Sequence, residues 1–287
     1  MTSRSKRAAI AAETISIIES GSYMNAAGST IEFADDIAAS IEGTRTFAPE
    51  DFDAVELQVA KKLQSTSCDT EFCVANETTF AAASNILQGQ PQAKILCLNF
   101  ASAKNAGGGF IGGSQAQEEA LCRASALYAC IEPQRTYYDT NRRCGTCLYT
   151  DYMIYSPMVP VFRDDNDDLL IEPYRVSFIT APAVNAGALA NSEPEKLPMV
   201  ADVMRSRIEK LLSLAVLNGY RHLVLGAWGC GVFRNEPSEI AELFREQLTG
   251  SGRFAAAFEC VRFGVLDFTK DESTFRGFDD CFQSIVS

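Results

Sequence analysis

The chain has 287 residues, 47% hydrophobic and 22% charged, with 25 Lys and Arg against 37 Asp and Glu for a net charge of −12. Such a chain can bury a sizeable core, and its length suits one large domain with or without an accessory segment. The acidic balance excludes a non-specific grip on a nucleic-acid backbone, which needs a basic surface. It leaves room for one anionic ligand, because backbone N–H groups can form a positive concavity without basic side chains.

The longest apolar runs, KILCLNFA and HLVLGAWGC, fall well short of the roughly 20 residues of a membrane-spanning helix. The basic start TSRSKR leads into AAIAAETIS, which Glu13 interrupts, so no secretory signal is expected and the protein reads as intracellular and free of the membrane. Ten cysteines are spread through predicted core elements, as Cys97, Cys122, Cys130 and Cys260 are. They read as buried thiols in a reducing compartment. One Cys-x-x-Cys pair, Cys144 and Cys147, has no second pair, and with His222 the single histidine there is no four-ligand zinc set. No metal and no cofactor are expected. His222 itself begins a predicted core strand and reads as a buried structural residue.

Taken in order, residues 1–90 read as a mainly helical, polar accessory segment and residues 91–287 as the core. A helix over 4–19 places Ile10, Thr14, Ile17 and Ile18 on one stripe and stops at Gly21. A second is expected over 77–88, with Asn76 as its N-cap and Phe80, Ala83, Ser84 and Leu87 at helical spacing. From about residue 93 strands and helices alternate. The expected strands are 94–101, near 152–156, 174–180, 222–226 and 258–266. The expected helices are 115–131, 199–218 and 237–248, and the clearest is 199–218, striped by Val200, Val203, Met204, Ile208, Leu211, Leu212 and Ala215 and stopped by Gly219. The acidic run RDDNDD (163–168) reads as a solvated turn. This alternation implies an α/β fold, three layers around a mixed sheet, with ligands beyond the carboxyl ends of the strands.

Two glycine-rich loops fall at such ends. GGGFIGGSQ lacks the Gly-Lys-Ser/Thr ending of a P-loop, and Gly229-Cys230-Gly231-Val232-Phe233-Arg234 has arginine where a dinucleotide fingerprint needs glycine. Both still follow a strand and precede a helix, so both can aim bare amides at an anion. Ser114 to Gln117 fits a capping box, which would start a helix at Ser114 and put Glu118 and Glu119 just past its first turn. Neighbouring helical side chains diverge by about 100°, so one carboxyl is expected to do chemistry while the other orients the substrate.

The triplet Gly107, Gly108 and Gly109, seven residues, then Gln117, Glu118 and Glu119 resemble the signature of the microbial-type poly(ADP-ribose) glycohydrolases, whose core is a macrodomain. The resemblance extends through RAAIAAETISIIESGSY, SPMVPVFRDD, VSFITAPAVNAG and LVLGAWGCGVFRNEP, the last resembling the macrodomain phosphate loop. It implies that Glu119 is the general acid for a ribosyl O-glycosidic bond, and that Glu118 holds ribose hydroxyls or its neighbour. It further implies that the glycine triplet and Gly226, Gly229, Cys230, Gly231 and Val232 grip the diphosphate, that Phe233 packs on the ligand, and that Asn99, Asn105 and Asn185 are candidate contacts. Cleavage passes through an oxocarbenium-like state and needs a proton on the leaving oxygen. A bound diphosphate and the loss of water would both keep the acid protonated. The implied activity is release of ADP-ribose from the ends of poly(ADP-ribose) by a monomer needing no cofactor, nucleic acid or membrane. Two alternatives share the pocket: a hydrolase of mono-ADP-ribosylated protein and a non-catalytic ADP-ribose reader, which would need the loops but no acid. A third, redox chemistry at Cys144 and Cys147, would show as loss of activity on alkylation.

Overall fold

The computed structural model describes residues 3–283. Its chain forms two compact units, each assembled from several stretches: residues up to Thr46, Asn99–Arg143 and Met153–Ala181 in one, and Phe47–Leu98, Cys144–Tyr152 and the chain from Pro182 in the other. Residues 1–90 therefore contribute to both. The α/β class and the mixed sheet, seven-stranded among the described residues, are as expected.

The first unit opens with the helix Arg4–Ser20, where the Ser3 side chain accepts the Lys6 N–H. Ile10, Ala11, Thr14 and Ile17 are its buried face, while Ile18 is half-exposed. Gly21 ends it at φ 69°, in the left-handed region, with Ala34 packed where a side chain would stand. The expected strand near 152–156 runs on as Met153–Arg163 and pairs antiparallel with Leu169–Ala181. Pro157 and Pro160 hide this continuity in the sequence, since proline usually marks the end of a sheet strand. A register shift between Ser156 and Val159 absorbs the first of them: Met158 sits at φ 49° and its N–H donates to Ser177 Oγ at 2.8 Å.

The acidic turn between these strands is built around Asp164, whose Oδ1 accepts the N–H groups of Asn166 and Asp168, each at 2.9 Å. It is not wholly solvated, as its composition suggests. Asp167, at φ 68°, turns inward to place its carboxylate 3.6 Å from the buried Arg123 Nε. The expected helix over 115–131 is two helices, Gln117–Ala124 and Leu127–Ile131. Between them Ser125 is extended and bridges to Val161, and its hydroxyl donates to the Leu121 carbonyl at 2.7 Å. Periodicity carried across Ser125 because the flanking positions are apolar; strand pairing outweighed it.

The second unit contains a parallel run of strands. Ile95, Leu96 and Cys97 pair with His222, Leu223 and Val224, these with Cys260, Val261 and Arg262, and those in turn with the strand Glu71–Ala75. The strand Ile95–Phe100 starts in this unit and ends, at Asn99 and Phe100, in the first. Helix Val200–Leu217 buries Met204, Ile208, Leu211, Leu212 and Ala215 as expected, together with Arg207. That guanidinium is satisfied by Asp151 Oδ1 and the carbonyls of Leu148 and Pro182. The helix expected at 77–88 is Thr79–Gly89, capped by Thr78 and not by Asn76. Asn76 is used elsewhere, bonding the Asp267 backbone through both ends of its amide. Pro237–Leu248 forms as read from the sequence.

None of the ten cysteines is disulfide-bonded; Cys97, Cys122 and Cys130 are buried, whereas Cys260, expected in the core, is half-buried. His222 opens its strand, is buried, and sits 3.6 Å from the Glu259 carboxylate. Among the described residues no helix is long and apolar enough to cross a membrane.

Candidate active site

In the first unit, the turn after Phe100 is nucleated by Ser102, whose hydroxyl accepts the Asn105 N–H at 3.2 Å. The glycine triplet follows, folded on itself by bonds from Gly108 N–H to the Asn105 carbonyl and from Phe110 N–H to the Gly107 carbonyl. Gly108 explains why this backbone is bare. It lies at φ +57°, and a Cβ there would meet Glu119 Oε1 at 2.5 Å and Glu118 Oε2 at 3.4 Å. The glycines are the floor on which the two carboxyls rest.

The helix bearing the carboxyls starts at Gln117, capped by Ala116 without a side-chain bond, and not at Ser114. Ser114 is occupied differently: its Oγ stands 2.5 Å from where a Gly109 Cβ would be, and its N–H donates to the Gly109 carbonyl. Gln117 reaches back with Oε1 to the Phe100 N–H at 2.9 Å, joining strand end to helix start. Both glutamates consequently lie within the first helical turn.

Their surroundings differ. Glu118 is 3% exposed, accepts the Ser102 N–H on Oε2 at 2.7 Å, and receives Asn99 Nδ2 on Oε1 at 3.3 Å. Asn99, fully buried, is itself tied to Thr180 Oγ1 at 3.1 Å. Burial pushes the Glu118 carboxyl up to about 8, against the downward pull of the Ser102, Asn99 and Gly107 hydrogen bonds, and the neighbouring Glu119 charge adds to the rise. A helix N-terminus favours the anion by only about 0.3–1 kcal/mol, less than the 1.36 kcal/mol of a single pKa unit, so desolvation wins. Desolvation therefore favours the protonated form of Glu118. Glu119 is at the edge of burial, at 9% exposure, with Oε1 on the Gly109 N–H at 3.0 Å. Its second oxygen has no hydrogen-bond partner among the described residues.

In the second unit, the loop after His222–Leu225 turns through bonds from Trp228 N–H to the Gly226 carbonyl and from Cys230 N–H to the Ala227 carbonyl. Trp228 is fully buried. Gly229, at φ 77°, is pressed between Ala183 and Asn235, each 2.5 Å from where its Cβ would be. Asn235 in turn staples the loop, donating to the carbonyls of Val184 and Gly229. Beyond it Gly231 and Val232 are exposed, and the N–H groups of Gly229, Gly231, Val232 and Phe233 have no protein acceptor among the described residues. Phe233 is fixed through its carbonyl, which accepts the Gly187 N–H at 2.9 Å, and its ring lies 6.1 Å from that of Tyr149. Tyr149 is held at φ 59°, a strained backbone for an aromatic residue, and its hydroxyl bonds the Asn185 side chain. Asn185 also caps the helix Ala186–Ser192 through the Ala188 N–H at 3.0 Å.

The structure therefore gathers Asn99, Gly107, Gly108, Gly109, Gln117, Glu118 and Glu119 in one unit, and Asn185, Gly226, Gly229, Cys230, Gly231, Val232 and Phe233 in the other. Asn105 is exposed on the turn. Ser102, Thr180 and Tyr149 were not singled out from the sequence. Thr180 carried a signal, as a polar residue at the inward end of an apolar strand; Tyr149 carried none, because its left-handed backbone is invisible in the letters. Among the described residues no group of three or more His, Cys, Asp or Glu side chains is arranged to hold a metal ion.

A search of curated protein sequences found no match. Solved structures give clear ones. The poly(ADP-ribose) glycohydrolase of Thermomonospora curvata bound to the inhibitor ADP-HPD is 42% identical with a TM-score of 0.86, over 96% of this chain and 98% of that one. Its counterpart from Deinococcus radiodurans in complex with ADP-ribose is 47% identical with a TM-score of 0.81, over 87% and 98%. The family model for the catalytic domain of microbial-type poly(ADP-ribose) glycohydrolases matches residues 11–164, the stretch that carries the glycine triplet and both glutamates. By motif, fold and these matches alike, the chain belongs to the microbial-type poly(ADP-ribose) glycohydrolases, a family of glycosidases.

Proposed function

We propose that this protein hydrolyses ribose–ribose O-glycosidic bonds of poly(ADP-ribose) from chain ends, releasing ADP-ribose, with Glu119 as general acid. The observation that carries the reading is the asymmetry of the pair. Glu118 is buried and committed on both oxygens, while Glu119 has one oxygen anchored on the Gly109 N–H and the other without a hydrogen-bond partner among the described residues. Only the latter can hand a proton to a leaving group without breaking its own support. As the anomeric C–O bond breaks, the proton moves from Glu119 to the departing ribose oxygen and positive charge spreads over the ring. Water then adds to the anomeric carbon, and the proton it releases restores Glu119.

Glu118, whose protonated form burial favours, orients the ribose and keeps its neighbour in place, and Asn99 acts through it. The unpartnered amides of Gly229, Gly231, Val232 and Phe233 suit a diphosphate, with Phe233 packing on the ligand. Relatives crystallised with ADP-ribose support ADP-ribose as the product. The test is incubation of full-length protein with purified polymer, with products separated by size. Monomer accumulating without intermediate oligomers supports the reading. Glu119→Gln should lower turnover by about 10²–10⁴-fold while ADP-ribose still binds. Cleavage confined to mono-modified peptides, or binding with no turnover by the wild type, would refute it.

A further inference from the structure

Three consecutive carbonyl oxygens between the glycine triplet and the glutamate pair each accept from a different arginine. Arg4 Nε donates to Gly112 at 2.9 Å, Arg7 Nε to Gly113 at 2.9 Å, and Arg123 Nη1 to Ser114 at 2.9 Å. The first two come from the N-terminal helix, ahead of the residues that the family model matches; the third stands at the far end of the helix that carries the glutamates. Contact between helix and loop is close enough to exclude any side chain at Gly113, whose Cβ would collide with the Arg4 carbonyl and lie 3.0 Å from the Ala8 nitrogen. Gly113 also takes φ +73°.

The third arginine is locked from several sides. Its Nη2 bonds Gln115 Oε1, Asp167 stands 3.6 Å from its Nε, and Thr14 of the N-terminal helix donates to its carbonyl at 2.6 Å. From this clasp a short relay leads to the acid. Ser114 N–H and Gly112 N–H both donate to the Gly109 carbonyl, at 3.1 Å each, and the Gly109 N–H donates to Glu119 Oε1. Fixing Gly112, Gly113 and Ser114 thus fixes the peptide that aims the acid.

We propose that Arg4, Arg7 and Arg123 form a collar of positioning residues which holds the loop so that Glu119 is aimed, making the start of the N-terminal helix part of the catalytic apparatus. Hydrogen bonds from charged donors are stronger than those of a neutral pair, and misplacement of a catalytic group by about 1 Å can lower rate by about 10²-fold. This inference rests on Glu119 being the acid. Its physical content, a loop immobilised by arginines, can be judged separately.

The experiment uses the full chain with Arg4→Ala/Arg7→Ala and, separately, Arg7→Lys, leaving the buried Arg123 in place. Two quantities are read: kcat and KM on poly(ADP-ribose), and amide hydrogen exchange across 107–119. The double variant should lose kcat by about tenfold or more with KM within about twofold of wild type, and Arg7→Lys, which keeps a charged donor, should recover much of it. Exchange should accelerate at Gly109, Gly113 and Ser114 and stay unchanged in helix Val200–Leu217. A raised KM at unchanged kcat would assign the arginines to substrate attraction and overturn the proposal, as would unchanged exchange in the loop or acceleration spread through the whole first unit. Should the wild type prove inactive on polymer, the functional reading falls, and the exchange data alone decide on the collar.

Discussion

At Glu118 the geometry makes a prediction independent of any substrate. Its carboxyl rises from the ordinary 4.5 to about 8 on folding, with burial as the main cause. A raised folded-state pKa contributes stability that is complete below about pH 4.5 and is lost as pH climbs through about 8. Glu118→Gln removes that titration. Thermal melts should show the variant gaining on wild type between pH 5 and pH 8.5, by several kcal/mol at the upper end, since each pKa unit is worth about 1.36 kcal/mol. An identical pH dependence in the two proteins would mean that Glu118 is not buried as described. Gly108→Ala makes a second case, since its methyl would overlap Glu119 Oε1 in a backbone conformation that alanine avoids. It should abolish most turnover while lowering the melting temperature only modestly, which paired activity and melting measurements would reveal. The motif itself, Gly107–Gly109 with Gln117–Glu119, was fully legible in the sequence. The unequal burial of its two glutamates was not, because that is set by Asn99 and Ser102 at one strand end and its turn, and by Thr180 from a distant strand.

Single elements were legible where one physical rule governed them. Val200–Leu217 and Pro237–Leu248 follow their apolar stripes, and Gly219 at φ 76° confirms where the former stops. Boundaries went astray where two rules compete. Asn76 and Thr78 are both good caps, and tertiary bonds to Asp267 take the first, leaving the second for the helix. Thr78→Ala should therefore lower stability by about 1 kcal/mol in denaturant titrations. Helix 115–131 was over-extended for a similar reason: nothing local announces that Ser125 will pair with Val161. The prolines of Met153–Arg163 led the other way, shortening a strand whose bulge accommodates them.

For the whole molecule the deciding quantity is charge. A net −12 protein acting on a polyanion works against its own long-range field. Added salt should thus raise kcat/KM on polymer over the low-salt range, where the Debye length shrinks from about 30 Å at 0.01 M to about 10 Å at 0.1 M. Steady-state rates across that range would check it; a fall with salt would point instead to a local basic surface governing encounter. The class and mixed sheet were visible in the alternation of elements from residue 93 onward. How the first 90 residues are shared between two units was not, since short strands such as Glu71–Ala75 leave little trace in composition.

Trp228 is the sole tryptophan of the chain, sealed within the loop whose amides are proposed above to receive the diphosphate. The enzyme thus carries its own optical reporter. Intrinsic fluorescence excited at the indole, with no label and no substitution, would register occupancy of that one turn against a background free of competing indoles.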